Sequence, residues 1–139
     1  MLTEERQGKV IKLCQDLIRI KSYSGEEGML AEKLSNVFKE MGYDDVFTDD
    51  YGNVVGHIKG KHPGRSILFD GHMDTVPVDE TQWTRPPFGG IIEDGKIYGR
   101  GASDMKGALS AMICAATNFA EDTERNFAGD IYVAGVVHE

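Results

Sequence analysis

The sequence predicts an α/β fold in which helices and strands interleave within one unit. Three observations point there. Two leading segments repeat apolar residues at helical period, later apolar residues gather into short runs bounded by glycine, and a third helical pattern lies between two such runs. The chain of 139 residues suits one domain and is long enough to bury roughly 68–70% of the surface its unfolded form exposes. No internal repeat, low-complexity tract or linker divides it.

Val10, Leu13, Cys14, Leu17 and Ile18 fall on one stripe of a helix over residues 3–20. Ser24 and Glu27 have the spacing of an S-x-x-E capping box. Behind them Leu30, Leu34, Val37, Phe38 and Met41 repeat at helical period until Gly42 stops the second helix. Strands follow over residues 53–59 (NVVGHIK) and 66–70 (SILFD), and the turn-like GKHPG between them suggests a hairpin. Residues 75–95 read as loop, because Pro77, Pro86, Pro87, Gly89 and Gly90 block long regular elements. Ile97 and Tyr98 mark a short strand, and Leu109, Met112, Ile113, Ala116 and Phe119 a third helix over residues 105–120. DIYVAGVV, residues 130–137, is a buried strand running into His138 and Glu139.

Composition narrows the function classes. The formal net charge of −8 gives no basic excess to displace counterions from phosphates, which argues against nucleic-acid binding. The start MLTEERQGKV has no signal-like apolar stretch, and no apolar run approaches the 18 or so residues of a membrane span, so a soluble, cytoplasmic protein is expected. Cys14 and Cys114 lie far apart without zinc-type spacing and read as packed free thiols.

Chemistry-bearing residues gather at three strand ends. SILFD leads to Gly71-His72-Met73-Asp74, KIYGRG to Asp104, and IYVAGVV to Glu139. In open α/β sheets the crevice beyond the strand carboxyl ends is where ligands bind. His72 and Asp104 suit a divalent transition metal, and the carboxylate can bridge two cations. Asp74 can fix the tautomer of His72 from its other ring nitrogen. Glu139 can serve as general base toward a water acidified by the cation. Each residue also has a plain reading: His72 and Asp74 as a loop pair, Asp104 as a helix N-cap, Glu139 as a solvated strand end.

The glycines of YGRGASDMKG fit neither nucleotide motif, since Asp104 stands where a dinucleotide fingerprint needs glycine and Lys106-Gly107-Ala108 has the wrong order for a phosphate loop. Gly99 and Gly101 read instead as a sharp turn that brings Asp104 inward. His57 and His62 read as structural or exposed. His138 alternates with Glu139 on the strand, so only one faces the crevice. Trp83 and Phe88 read first as anchors of a long loop, with the lining of a substrate entrance as the alternative.

LFDGHMDTVPV, WTRPPF, GKIYGRGASDMKGALSAM and GVVHE, in this order and spacing, resemble the N-terminal part of the M20 metallopeptidase and deacylase family. That family includes aminoacylases, carboxypeptidases, acetylornithine deacetylases and succinyl-diaminopimelate desuccinylases. Within it the closer likeness is to a branch of hydrolases linked to selenium metabolism. The resemblance implies a three-layer α/β/α metallopeptidase-like catalytic domain with a mixed sheet, truncated at its C-terminal side, of which residues 1–139 form the N-terminal, metal-binding part. It implies two divalent cations, zinc with cobalt or manganese as substitutes. His72 would be a ligand, Asp104 the bridge, Asp74 the residue orienting His72 and Glu139 the general base, with a cis peptide at Asp104-Met105.

It implies too that a second glutamate after Glu139, a further acidic ligand, a distant histidine and a lid or dimerisation domain complete the parent, which would be a homodimer. His138 stands where relatives often carry aspartate. The expected activity of the parent is hydrolysis of an amide bond in an N-acyl amino acid or short peptide. With an incomplete ligand set, the 139-residue chain itself is expected to have weak metal affinity and little activity. An alternative class is a non-catalytic binding or structural module, or a truncated fragment, that keeps the scaffold. An unpaired edge or apolar face at the last strand is expected to favour self-association.

Overall fold

The computed structural model describes residues 2–139. Helix α1 spans Glu4–Ile18, with Thr3 Oγ1 accepting the Arg6 N–H at its start and Leu13, Cys14, Leu17 and Ile18 buried along the expected stripe. Helix α2 spans Gly28–Glu40 and buries Leu30, Leu34, Val37 and Phe38. Its start departs from the sequence reading. Ser24 caps nothing: its hydroxyl donates to Asp74 Oδ2 at 2.5 Å, and Glu27 Oε1 accepts the Gly25 N–H at 2.9 Å. The residues that resemble a capping box instead serve a bend and a distant carboxylate.

Strands β1 (Asp45–Thr48), β2 (Val54–Lys59) and β3 (Ile67–His72) precede a small hairpin of β4 (Ile91–Glu93) and β5 (Lys96–Tyr98). Helix α3 (Gly107–Asp122) and strand β6 (Asp130–Val136) complete the chain. The main sheet has the order β1-β2-β6-β3, antiparallel except for the β3–β6 pair, so it is mixed as expected. β2 and β3 do not form the expected hairpin, because β6 lies between them. The connection between them spends its backbone donors elsewhere: Lys61 N–H on Arg125 O at 3.0 Å and His62 N–H on Phe127 O at 3.2 Å, both in the loop that leads into β6. β4 also corrects the loop assigned to residues 75–95. Asp94 and Gly95, with φ of 51° and 72°, form the left-handed turn that a tight hairpin needs.

The three helices contribute to one core with the helix-facing side of the sheet. Two glycines bring α2 close. A Cβ at Gly56 would stand 2.6 Å from the Tyr43 ring and 2.7 Å from Phe38, and one at Gly135 would stand 2.6 Å from Leu34. On the other face the His57 ring stacks on Tyr132 at 4.3 Å, between Asp45 and Asp130 carboxylates each 3.1 Å away. His57 is therefore structural, as expected. Cys14 and Cys114 are buried free thiols whose burial raises their pKa. Among the described residues no helix is long and apolar enough to cross a membrane.

β6, where an unpaired edge or an exposed apolar face is expected, is interior, and one of the sheet's two edges is β3. There Ile67, Leu68 and Phe69 are exposed, and Ile67 and Phe69 line an open apolar groove of about 630 Å³ with Met112, Phe119 and Phe127. An exposed apolar edge with a single acidic residue, Asp70, has little to discourage strand addition. Light scattering of concentrated protein is expected to show aggregation that Leu68→Lys reduces. Equal solubility of the two proteins would count against that role for the edge.

Candidate metal centre

Because β3 and β6 run parallel side by side, with His72 opposite Val136, their carboxyl ends emerge at the same rim. His72 is the last residue of β3, Glu139 follows three residues after β6, and Asp104 comes from the turn Ala102–Lys106 that leads into α3. The three converge. His72 Nε2 is 2.9 Å from Asp104 Oδ1 and 3.6 Å from Glu139 Oε2, and one ligand atom from each residue lies within 4.8 Å of the others. They line a pocket of about 230 Å³ together with Ser24, Asp74 and Arg100.

The imidazole is buried while the carboxylates of Asp104 and Glu139 are mostly exposed, at 81% and 71%. His72 Nδ1 lies 2.9 Å from the main-chain oxygen of Asp74, a pure acceptor, so Nδ1 carries the hydrogen. In the neutral ring that tautomer turns the Nε2 lone pair toward the Asp104 carboxylate. Two electron-rich groups at 2.9 Å require a proton or a cation between them, and imidazole plus carboxylates is a donor set that suits divalent transition metals. Burial pushes the imidazole pKa down, but the bonds to Asp104 and Asp74 and the charge of Glu139 outweigh it and hold the pKa above the ordinary histidine value.

The Asp74 carboxylate does less for His72 directly than the sequence suggests, since its Oδ1 is 3.5 Å from Nδ1 while the main-chain oxygen takes the closer contact. It joins segments instead. Oδ2 accepts from the Ser24 hydroxyl and Oδ1 from the Glu139 N–H at 3.3 Å. Burial raises the Asp74 pKa, yet these two bonds bring it below the usual carboxylate range.

Asp104 is not the N-cap of α3: Lys106 holds that position without any side-chain cap, and Asp104 itself has extended backbone, with a cis peptide bond to Met105. His138 is off the strand, at φ 53°, because β6 ends at Val136; strand alternation therefore does not decide which of His138 and Glu139 faces the pocket. His62 Nε2 meets Asn126 Oδ1 at 2.7 Å, away from the pocket. Trp83 lies under the Arg100 guanidinium at 5.2 Å and Phe88 beside Tyr23 at 6.2 Å, which is the anchoring the sequence suggests. Sequence reasoning missed Ser24 as a partner of Asp74, and the buried Lys106. The run Asp104-Met105-Lys106, a lone lysine heading an apolar helix, was the one available signal.

The sequence pattern of Peptidase family M20/M25/M40 matches residues 68–139, just over half of the chain and the part that holds every converging residue except Ser24. The chain belongs to this family. A succinyl-diaminopimelate desuccinylase of Cereibacter sphaeroides is 38% identical to this M20 chain over 128 residues, 90% of the chain and 34% of that protein. The chain thus spans about a third of the length of the curated relatives it matches. Among solved structures, an M20 metallo-carboxypeptidase from Sulfolobus solfataricus superposes with a TM-score of 0.81 at 24% identity, over 99% of this chain and 31% of that one. Human carnosine dipeptidase 1 gives 0.80 at 22%, over 94% and 32%. A dinuclear metal-binding M20 peptidase from Bacillus subtilis gives 0.75 at 17%, over 99% and 37%. At these identities the likeness shows the α/β fold.

Proposed function

We propose that this chain is the N-terminal part of the catalytic domain of a metal-dependent amide hydrolase acting on an N-acyl amino acid or short peptide. The convergence of His72, Asp104 and Glu139 at one rim carries the reading. The desuccinylase relatives and the peptidase structures support the substrate class. His72 Nε2 and Asp104 would hold the metal, with Asp104, open to solvent, shared between two divalent cations, zinc being the expected one. When bound, such a cation supplies Lewis-acid polarisation of a carbonyl oxygen and lowers the pKa of a water.

The protein's own groups do the rest. Asp74, through its main-chain oxygen, keeps the hydrogen on His72 Nδ1 and leaves Nε2 free to ligate. Through its carboxylate it holds the Glu139 backbone at the rim. Glu139, its Oε2 3.6 Å from His72 Nε2, faces the same rim and acts as general base. It takes a proton from the attacking water as oxygen bonds to the carbonyl carbon. It then gives that proton to the nitrogen as the C–N bond breaks.

Two protein ligands fall short of the three that catalytic zinc sites keep. The 139-residue chain is therefore expected to bind Zn²⁺ weakly, to lose that binding in His72→Ala, and to hydrolyse N-succinyl or N-acetyl amino acids no faster than buffer. Calorimetric titration and an amine-release assay check this. No Zn²⁺ binding by the unaltered chain would end the metal reading. Chelator-sensitive turnover abolished by Glu139→Ala would confirm the hydrolase and refute the expected inactivity.

A further inference from the structure

The turn that carries Asp104 is fastened from behind by a lysine. Lys106 is completely buried. Its Nζ donates to the main-chain oxygens of Leu17 at 3.0 Å and Ile20 at 2.7 Å, at the C-terminal end of α1, where the helix dipole favours a cation. The alkyl stem runs over Gly101, where a Cβ would approach Cδ to 3.1 Å and Cγ to 3.3 Å. The Lys106 N–H donates to Gly101 O at 2.8 Å, and its carbonyl accepts from the Ser110 hydroxyl at 2.7 Å. One residue thus joins the turn to α1, to its own start and to α3.

Asp104 needs such help. Its side chain is 81% exposed, so packing does not hold it, and its place 2.9 Å from His72 Nε2 must be set by its backbone. A buried ammonium is costly unless its donors are satisfied. An apolar side chain would fill the space without that cost, but could not grip two carbonyls.

We infer that Lys106 is a positioning residue that anchors the Gly101–Lys106 turn to the end of α1 and so holds Asp104 at cation-sharing distance from His72. The inference rests on the reading of His72, Asp104 and Glu139 as a metal cradle. The test titrates the 139-residue chain with Co²⁺, read by its visible absorption, in wild type, Lys106→Met and Phe38→Leu. The last is a core change in α2, remote from the cradle, that serves as a control for lost stability.

Lys106→Met is expected to weaken Co²⁺ binding about 10- to 100-fold and to alter the absorption band, the usual scale for losing a support behind a ligand. Phe38→Leu is expected to leave both unchanged while the protein is folded. Wild-type binding by Lys106→Met, or an equal loss in Phe38→Leu, overturns the inference and leaves the cradle standing. No Co²⁺ binding by wild type overturns the cradle and the inference with it. Should Lys106→Met fail to fold, Lys106→Gln keeps an amide NH2 on a shorter, uncharged side chain. Its affinity is expected below wild type, and equality with wild type overturns the inference.

Discussion

Gly129→Ala is expected to destabilise the fold by about 2–5 kcal/mol, a large share of the ~5–15 kcal/mol typical of a domain. Gly129 sits at φ 78°, where an L side chain costs roughly 1–2 kcal/mol. A Cβ there would also stand 1.9 Å from the Arg65 carbonyl oxygen and 2.5 Å from its carbon, both backbone atoms that cannot rotate away. Relief requires moving the crossing of two loops, where the Gly129 N–H donates to His62 O at 2.9 Å and His62 bridges Ala128. That crossing sets the starts of β3 and β6 side by side. Urea unfolding should show a lower midpoint at an unchanged slope. Gly8→Ala, in helix α1 with nothing within 4 Å of the new Cβ, should instead stabilise the protein by about 0.5–1 kcal/mol. A midpoint for Gly129→Ala equal to that of wild type would contradict the close loop crossing.

That crossing also marks the limit of what the sequence reveals. Helical periodicity located α1 and α2, because Leu13, Leu17, Leu30 and Leu34 each face the same core and the pattern is local. The β2–β3 relation is not local. GKHPG has the composition of a hairpin turn, and only the loop that includes Gly129 and precedes β6, some 65 residues later, shows that its donors are already taken. β1 escaped notice because its burial is almost nil: Phe47 is 51% exposed, so it carries no alternation to read.

The site was more legible than the topology. An acid or imidazole just past an apolar run emerges at a strand end whichever way the strands are ordered, and the parallel β3–β6 pair brings two of the three together. What supports those groups was hidden for the opposite reason. Ser24 and Lys106 act across 50 and 86–89 residues of sequence, through one hydroxyl and one ammonium with no local pattern.

Tyr43→Phe is expected to reverse the stability order with pH. Tyr43 is 6% exposed, its ring lies 4.7 Å from that of Phe38, and its hydroxyl donates to the Ile113 oxygen at 3.1 Å. Phenylalanine keeps the ring and loses one hydrogen bond, a cost of about 0.5–1.5 kcal/mol near neutral pH. The low end applies, because Ile113 O also accepts from the Thr117 hydroxyl at 3.0 Å and is not left bare. Burial pushes the Tyr43 pKa well above the ordinary value near 10, so above about pH 10 the unfolded chain releases this proton first. The folded state then binds more protons than the unfolded one, and wild-type stability falls by about 1.4 kcal/mol for each further pH unit. Tyr43→Phe lacks that term, while the buried thiols act alike in both proteins. The two stability curves should therefore cross close to pH 10, with the variant clearly the more stable by about pH 11. Urea midpoints between pH 7 and that limit measure it, and parallel curves would mean that the Tyr43 hydroxyl reaches water in the folded protein.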